Sequence, residues 1–362
     1  MSDQLKIGIV GPLPPPAGGM ATQTRQLYEL LTAEGLDVRI VQTNPPYSPS
    51  WIAEIKGFRA LFRLLPFFLK VWKLTGQVDV IHLMANSGWS WQLFSAPVIW
   101  IGWLRKAAVI VNYRGGEAEQ YFQKSIRRIA PTMNRAEKII VPSGYLKTIF
   151  SKYGFEATAI PNIVNLERFK PREKCLEITR NEFRLIITRN LEPIYGLPTA
   201  IKAVAKAKKE IPNLKLLIAG SGPQKGALLA LIKELGLQEN VSFVGRLGPG
   251  EIECFYGEAD IMLNPTTVDN MPNSVLEALA SGLPVITTNV GGIPYIVEHE
   301  ETAIMVPVGD DKEMAKQIIR LYKDEAIRQQ LVKNGLKEVA QYGWPEVKQS
   351  WIGTYEELGR RA

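Results

Sequence analysis

Cysteine and histidine are almost absent from this chain. Cys175 and Cys254 are the only cysteines and His82 and His299 the only histidines in 362 residues. Two cysteines build neither a disulfide framework nor a structural zinc site, so a reducing compartment is the natural setting. No His/Cys cluster, H-E-x-x-H or D-x-D occurs, which argues against chemistry on a dedicated protein metal site. Long apolar runs are scarce too. The stretch between Asp79 and Arg105 carries no formal charge, but Asn86, Ser87, Ser90, Gln92, Ser95 and Pro97 interrupt it. It reads as a core strand followed by a buried helix, not a membrane span. No secretory leader is expected, because Ile7–Val10 is a short apolar run after an acidic start and reads as a strand. With 46% apolar and 22% charged residues, disorder and low complexity are excluded.

What is present is, first, a charge asymmetry. Residues 1–172 hold 21 basic and 11 acidic side chains; residues 173–362 hold 22 and 25. A basic first lobe facing an anionic surface is expected. Nucleic acid is not the expected partner, since no groove-reading motif or RNA-binding aromatic signature accompanies the charge.

Second, short Val/Ile/Leu runs alternate with helical patterns. Strands are predicted at 6–11, 38–43, 78–84, 107–113 and 138–143, then at 184–190, 214–220, 241–246, 260–266, 283–289 and 303–308. Continuous apolar runs suit strands covered on both faces, and two β/α series mean two doubly wound parallel sheets, an α/β fold. Residues 161–175 have turn formers, charges and two prolines without periodicity, as a linker would. The expected domains are therefore 1–165 and 176–343, with a C-terminal helix over 344–362 packing back on the first.

The sharpest motif is NPTTVDNMPNSVLEALASGLPVITT at 264–288. Asp269 and Glu277 stand eight apart, with Pro272 between them and a helix predicted from about Ser274. One carboxylate then lies in the loop before the helix and the other one turn inside it. The amides from Met271 to Ser274, reinforced by the helix dipole, form an anion site between them. A diphosphate flanked by two polyhydroxylated rings suits that arrangement. An isolated pair of this kind is equally a turn residue and a solvated helix position.

The pair is not isolated. The segment resembles the E-x7-E signature of the family-4 retaining glycosyltransferases, with Asp269 in place of the first Glu. GGIPYIVEHEETAIMVPVGD at 291–310, PLPPPAGGMATQTRQL near the start, ITRNLEPIYGL at 187–197, IAGSGP at 218–223 and FVGRLG at 243–248 resemble the same family in the same order. The resemblance implies a GT-B architecture, two Rossmann-like lobes facing across a cleft, with a nucleotide-diphosphate sugar bound mainly on the second.

It also implies roles. Glu277 accepts hydrogen bonds from the ribose, Asp269 holds hydroxyls of the transferred sugar, and Arg189 neutralises the donor diphosphate. Further donor contacts fall to Gly18 and Gly19, to Gly220 and Gly222, to Gly245 and Arg246, and to Asn270, Met271, Pro272, Asn273 and Ser274. The family normally has a lysine six residues after the arginine, where this chain has Tyr195. Many relatives carry a histidine near Tyr113; here Arg114 precedes Gly115 and Gly116, and these three with His82 are the expected sugar or acceptor side. His82, read as ending a strand, is equally half-buried structure, and Arg114 equally a rim salt bridge. No metal and no other cofactor are expected.

Residues 51–74, WIAEIKGFRALFRLLPFFLKVWKL, place Lys56, Arg59, Arg63, Lys70 and Lys73 among Trp, Phe and Leu, with Glu54 the only acid. Such segments lie on anionic membrane surfaces, although a core helix with a wet basic face has the same composition. The expected partners are thus a nucleotide sugar, a saccharide or lipid-linked acceptor and an anionic membrane, at the cytoplasmic face. The rival expectation is a non-catalytic sugar-nucleotide-binding protein on the same fold.

Overall fold

The apolar runs become strands because each has an apolar layer on either side. The computed structural model describes residues 5–15, 18–47, 51, 59–171 and 182–359, with the side chains of 59–61 outside the description. It divides into two units, Met1–Ile163 with Val347–Ala362, and Val164–Glu346.

In the first unit the chain runs β1 (Lys6–Gly11), α1 (Gly19–Ala33), β2 (Asp37–Gln42), α2 (Arg59–Thr75), β3 (Val80–Ala85), α3 (Ala96–Arg105), β4 (Ala108–Tyr113), α4 (Ala118–Met133), β5 (Lys138–Val141), α5 (Gly144–Lys152) and β6 (Thr158–Ala159). The parallel sheet has the order β2-β1-β3-β4-β5-β6. Side chains alternate across it. Ile81 and Leu83 of β3 join Phe67, Val71 and Leu74 of α2 and Val98 and Ile99 of α3 in one core. His82, between them in sequence, faces the other way, toward Trp351 and Tyr355 of the C-terminal helix.

The second unit runs β7 (Phe183–Thr188), α6 (Leu197–Ala207), β8 (Leu214–Ala219), α7 (Lys225–Glu234), β9 (Val241–Gly245), α8 (Glu251–Gly257), β10 (Ile261–Asn264), α9 (Asn273–Ala280), β11 (Val285–Thr288), β12 (Ile304–Val306), α10 (Asp311–Lys323) and α11 (Glu325–Val339). The final helix, α12 (Trp344–Gly359), begins here and continues into the first unit, where Trp351, Tyr355 and Leu358 are buried. The sheet order is β12-β11-β10-β7-β8-β9, all parallel. Leu185 and Ile187 pack under α6 and α10, while Ile186 packs with Val275 and Leu279 of α9 on the opposite face. That is the two-faced burial that makes a strand read as an unbroken apolar run.

One expectation fails here. The helix after β3 is not buried: Val98, Ile99 and Gly102 of α3 face the core, but Trp100, Trp103 and Leu104 are 39%, 53% and 63% exposed. The uncharged stretch supplies apolar residues to both sides of the helix.

Candidate functional site

In the second unit the strand order reverses between β7 and β10. Ligands of doubly wound sheets sit outside the carboxyl ends of the strands at this switch point. The chain leaves β7 at Arg189 and β10 at Pro265, so the sequence-predicted arginine and acidic loop emerge from adjacent strands.

Arg189 forms an ion pair with Asp269 through Nη2. Its Nε and Nη2 both donate to Asn264 Oδ1, at 3.0 and 2.9 Å, and Asn264 Nδ2 donates to Thr287 Oγ1 at 2.9 Å on β11. The guanidinium also lies 5.0 Å from the centre of the Tyr195 ring. Tyr195 thus packs against the Arg189 cation. The Arg189 main chain is held by its amide on Ala219 O, 3.0 Å away. Gly220 makes that approach possible: its φ is +145° and a Cβ would stand 2.0 Å from the Arg189 carbonyl oxygen.

Asp269 accepts the amide of Asn270 at 3.0 Å, and its carbonyl accepts the amide of Gly292 at 2.9 Å. A side chain at 292 would collide with the Asn270 carbonyl, the Cβ lying 1.6 Å away. Burial pushes the Asp269 carboxyl up from the ordinary carboxylate range, and the charge of Arg189 opposes that rise.

Glu277 lies in the second turn of α9. It accepts the Tyr256 hydroxyl at 2.9 Å; Tyr256 Oη in turn lies 2.7 Å from Thr188 Oγ1, the residue before Arg189. Burial raises Glu277 as well, while the Tyr256 hydrogen bond and the nearby Arg168 and Arg189 charges favour its ionised form. Between the two carboxylates α9 begins after Pro272, which supplies no side-chain cap. Ser274 Oγ in this first turn is buried without a hydrogen-bond partner. Arg189, Asp269, Ser274 and Glu277 are therefore gathered at one end of the second sheet.

The remaining residues are placed as follows. Met271 and Asn270 are buried beside Asp269, and Asn273 opens α9. Gly220 and Gly222 follow β8 and pack on the carbonyls of Arg189 and Leu191; Gly245 ends β9. Arg246 is exposed and donates to Ser221 Oγ at 2.6 Å. In the first unit Gly18 caps α1 and Gly19 begins it, beside the β1/β3 switch point of that sheet.

Arg114, following β4, donates through Nε to Asn112 Oδ1 at 3.2 Å and through Nη1 to Asn162 Oδ1. Two side-chain amides thus hold the guanidinium, and burial lowers it to about 10. Gly115 is buried against Tyr113 and Asn86, and Gly116 is exposed.

His82 lies inside the sheet of the first unit. It is the third residue of β3 rather than its end, is 0% exposed, and uses both ring nitrogens. The Arg114 bond fixes the Asn112 amide so that Nδ2 donates to His82 Nε2 at 2.9 Å. Nδ1 then carries the proton and donates to Tyr355 Oη at 2.7 Å. Burial, with the Arg114 charge, holds the ring down from 6.5 to about 3. The folded protein then binds fewer protons than the unfolded chain between these values, so this group's stabilising contribution is full above pH 6.5 and is lost as pH falls toward 3. Thermal melts of wild type and His82→Gln across this range check it: the acid loss is expected to be shallower in the variant.

Tyr256 was not singled out from sequence, and Asn264 and Thr188 lie inside motifs without a role being read for them. Tyr256 lies outside the motifs and Asn264 opens one, and the sheet order brings them to Glu277 and Arg189. Among the described residues no three His, Cys, Asp or Glu side chains cluster as metal ligands.

Comparison with known proteins agrees in both halves. The family model described as Glyco_transf_4, Glycosyltransferase Family 4, matches residues 17–168, and that of Glycosyl transferases group 1 matches residues 172–338. The N-acetyl-alpha-D-glucosaminyl L-malate synthase of Bacillus anthracis is 32% identical over 207 residues, 57% of this chain and 52% of that protein. The alignment thus spans about half the length of that relative. The alpha-monoglucosyldiacylglycerol synthase of Acholeplasma laidlawii is 25% identical over 88% of each chain. Sucrose-phosphate synthase from Thermosynechococcus elongatus superposes with a TM-score of 0.79 at 22% identity, over 99% of this chain and 100% of its own; this likeness gives the fold, GT-B. Matched through both halves in chain order, the protein belongs to the group 1, or family 4, glycosyltransferases.

Proposed function

We propose that the protein transfers a sugar from a nucleoside-diphosphate sugar to an acceptor hydroxyl with retention of anomeric configuration. The observation that supports this best is Arg189, held at the switch point with Asp269 and within reach of the charge field of Glu277. In the reading we favour, the donor diphosphate takes the guanidinium over from Asp269 and meets the start of α9, where Ser274 Oγ supplies a further donor. Asp269, released from the ion pair, accepts hydroxyls of the transferred sugar, and Glu277 accepts those of the ribose.

During transfer the bond from the anomeric carbon to the diphosphate oxygen breaks, and the acceptor oxygen bonds that carbon on the same face. The acceptor proton passes to the leaving phosphate oxygen, which gives a glycoside and a nucleoside diphosphate. Arg189 and the helix start stabilise the charge gathering on the leaving group. Positive charge then comes from the protein itself, and a metal-independent reaction is expected.

The acceptor we favour is a lipid-linked saccharide of a cell-envelope or exopolysaccharide route, met by the first unit at the cytoplasmic membrane surface. The basic, aromatic character of residues 51–74 and the diacylglycerol in the name of the Acholeplasma relative support that choice. Incubation with a panel of nucleotide sugars and lipid-linked acceptors, with and without chelator, tests it. Chelator-insensitive turnover with a retained anomeric signal by NMR is expected; binding without turnover across the panel overturns it in favour of a sugar-nucleotide-binding protein.

A further inference from the structure

Helices α2, α3 and α4 form one layer. The crossovers β2-α2-β3, β3-α3-β4 and β4-α4-β5 all advance across the sheet in the same direction, and right-handed crossovers then place their helices on the same face. The inner side of the layer is the core already described. On α2 and α3 the outer side is also apolar. On α2, Phe62, Leu65, Leu69 and Trp72 are spaced along one helical stripe and are 52%, 56%, 65% and 45% exposed, opposite the buried Phe67, Val71 and Leu74. Trp100, Trp103 and Leu104 of α3 continue this surface. A helix apolar on opposite sides needs a second apolar environment.

The charged residues of α2 and α3 have one sign. Arg105 lies over the Trp72 ring at 4.8 Å and joins the two helices. Arg135, just past α4, lies 3.9 Å from the Trp100 ring centre and 5.0 Å from that of Trp103. Lys70 and Lys73 are exposed on α2. In residues 59–106 the only acid is Asp79, and it accepts the Lys6 amide at 2.8 Å.

We infer that the outer face of α2 and α3, with Arg135 beside it, is a surface that inserts into anionic bilayers, its Trp and Leu side chains entering the headgroup boundary and its Lys and Arg side chains meeting lipid phosphates. Aromatic rings with basic neighbours suit that boundary. A second copy of the chain fits less well, since a two-fold interface would set these basic residues against themselves. Among the described residues no helix is long and apolar enough to cross a membrane, so the contact is interfacial. The inference deepens the membrane part of the proposed function and extends the contact from the 51–74 segment to α3 and Arg135. Of that segment's expected contacts, Lys56 and the Arg59 side chain lie outside the described residues. Arg63 lies 4.2 Å from the Tyr47 ring centre.

The test uses the full-length protein without donor or acceptor, so its failure leaves the transfer reaction standing, and failure of the reaction leaves it standing. Wild type is expected to sediment with phosphatidylglycerol-containing vesicles, to show blue-shifted tryptophan emission, and to be quenched by lipids brominated near the headgroup. Combined Leu65→Ser, Leu69→Ser and Leu104→Ser is expected to lower vesicle partitioning about tenfold or more with unchanged melting temperature. Overturning results are wild-type sedimentation of that variant, absence of quenching in the native protein, or a solution dimer that the same substitutions dissociate while vesicles are ignored. Quenching is read on the native chain and so decides the matter even where the variant folds poorly.

Discussion

Replacing Arg189 by alanine lowers turnover at saturating donor by about 10²-fold or more, or about 3 kcal/mol of transition-state stabilisation. The size follows from position. Arg189 is the cation that three separate elements hold at the switch point: the Asn264 amide, the Asp269 carboxylate and the Tyr195 ring. The loop 189–197 holds no lysine, so no neighbouring lysine on it makes up the loss. Its removal also strips the buried Asp269 of its counter-charge and raises that carboxyl further. Arg189→Lys is expected to recover only part of the rate, because one ammonium cannot reproduce the forked contact to Asn264 and Asp269. Steady-state kinetics on both variants check this; turnover at the wild-type level contradicts the assignment.

Glu277→Gln acts on binding and on stability in opposite directions. Nucleoside diphosphate affinity is expected to fall about tenfold or more, the scale of a lost charged hydrogen bond to a ribose hydroxyl. The unliganded protein is expected to melt higher at neutral pH. Burial raises the Glu277 carboxyl in the folded state, so the folded chain binds this proton more tightly than the unfolded one. Its ionised form is then a destabilising contribution at neutral pH, and it is relieved as pH falls through the raised folded value. The glutamine variant lacks that relief and still accepts the Tyr256 hydroxyl. Calorimetric titration with a nucleoside diphosphate, and melts at neutral and acid pH, measure both; equal affinity in the two proteins contradicts the ribose role.

Most strands were legible because each is a Val/Ile/Leu run covered on two faces, and the apolar pattern itself encodes that burial. Thr158–Ala159 was missed, being two exposed residues that only pair with an existing edge. Arg189, Asp269 and Glu277 stood out through motif spacing. Their supports did not: Asn264 is 75 residues from Arg189, Tyr256 lies 21 before Glu277, and only sheet order joins them. His82 shows the opposite case. A histidine in an apolar strand is a candidate functional group on chemistry alone, but its partner Tyr355 is 273 residues away on the last helix. The tryptophans of α3 could be read from sequence as outward or as core, since composition cannot say which side of an apolar helix meets the core.

The most direct measurement is a structure of the protein with a nucleoside-diphosphate sugar or nucleoside diphosphate bound. The expected result has the diphosphate on Arg189 and the first turn of α9, the ribose on Glu277, and Asp269 released from its ion pair. A ligand bound elsewhere, or the Arg189–Asp269 pair intact beside it, would contradict the proposed reaction at its root.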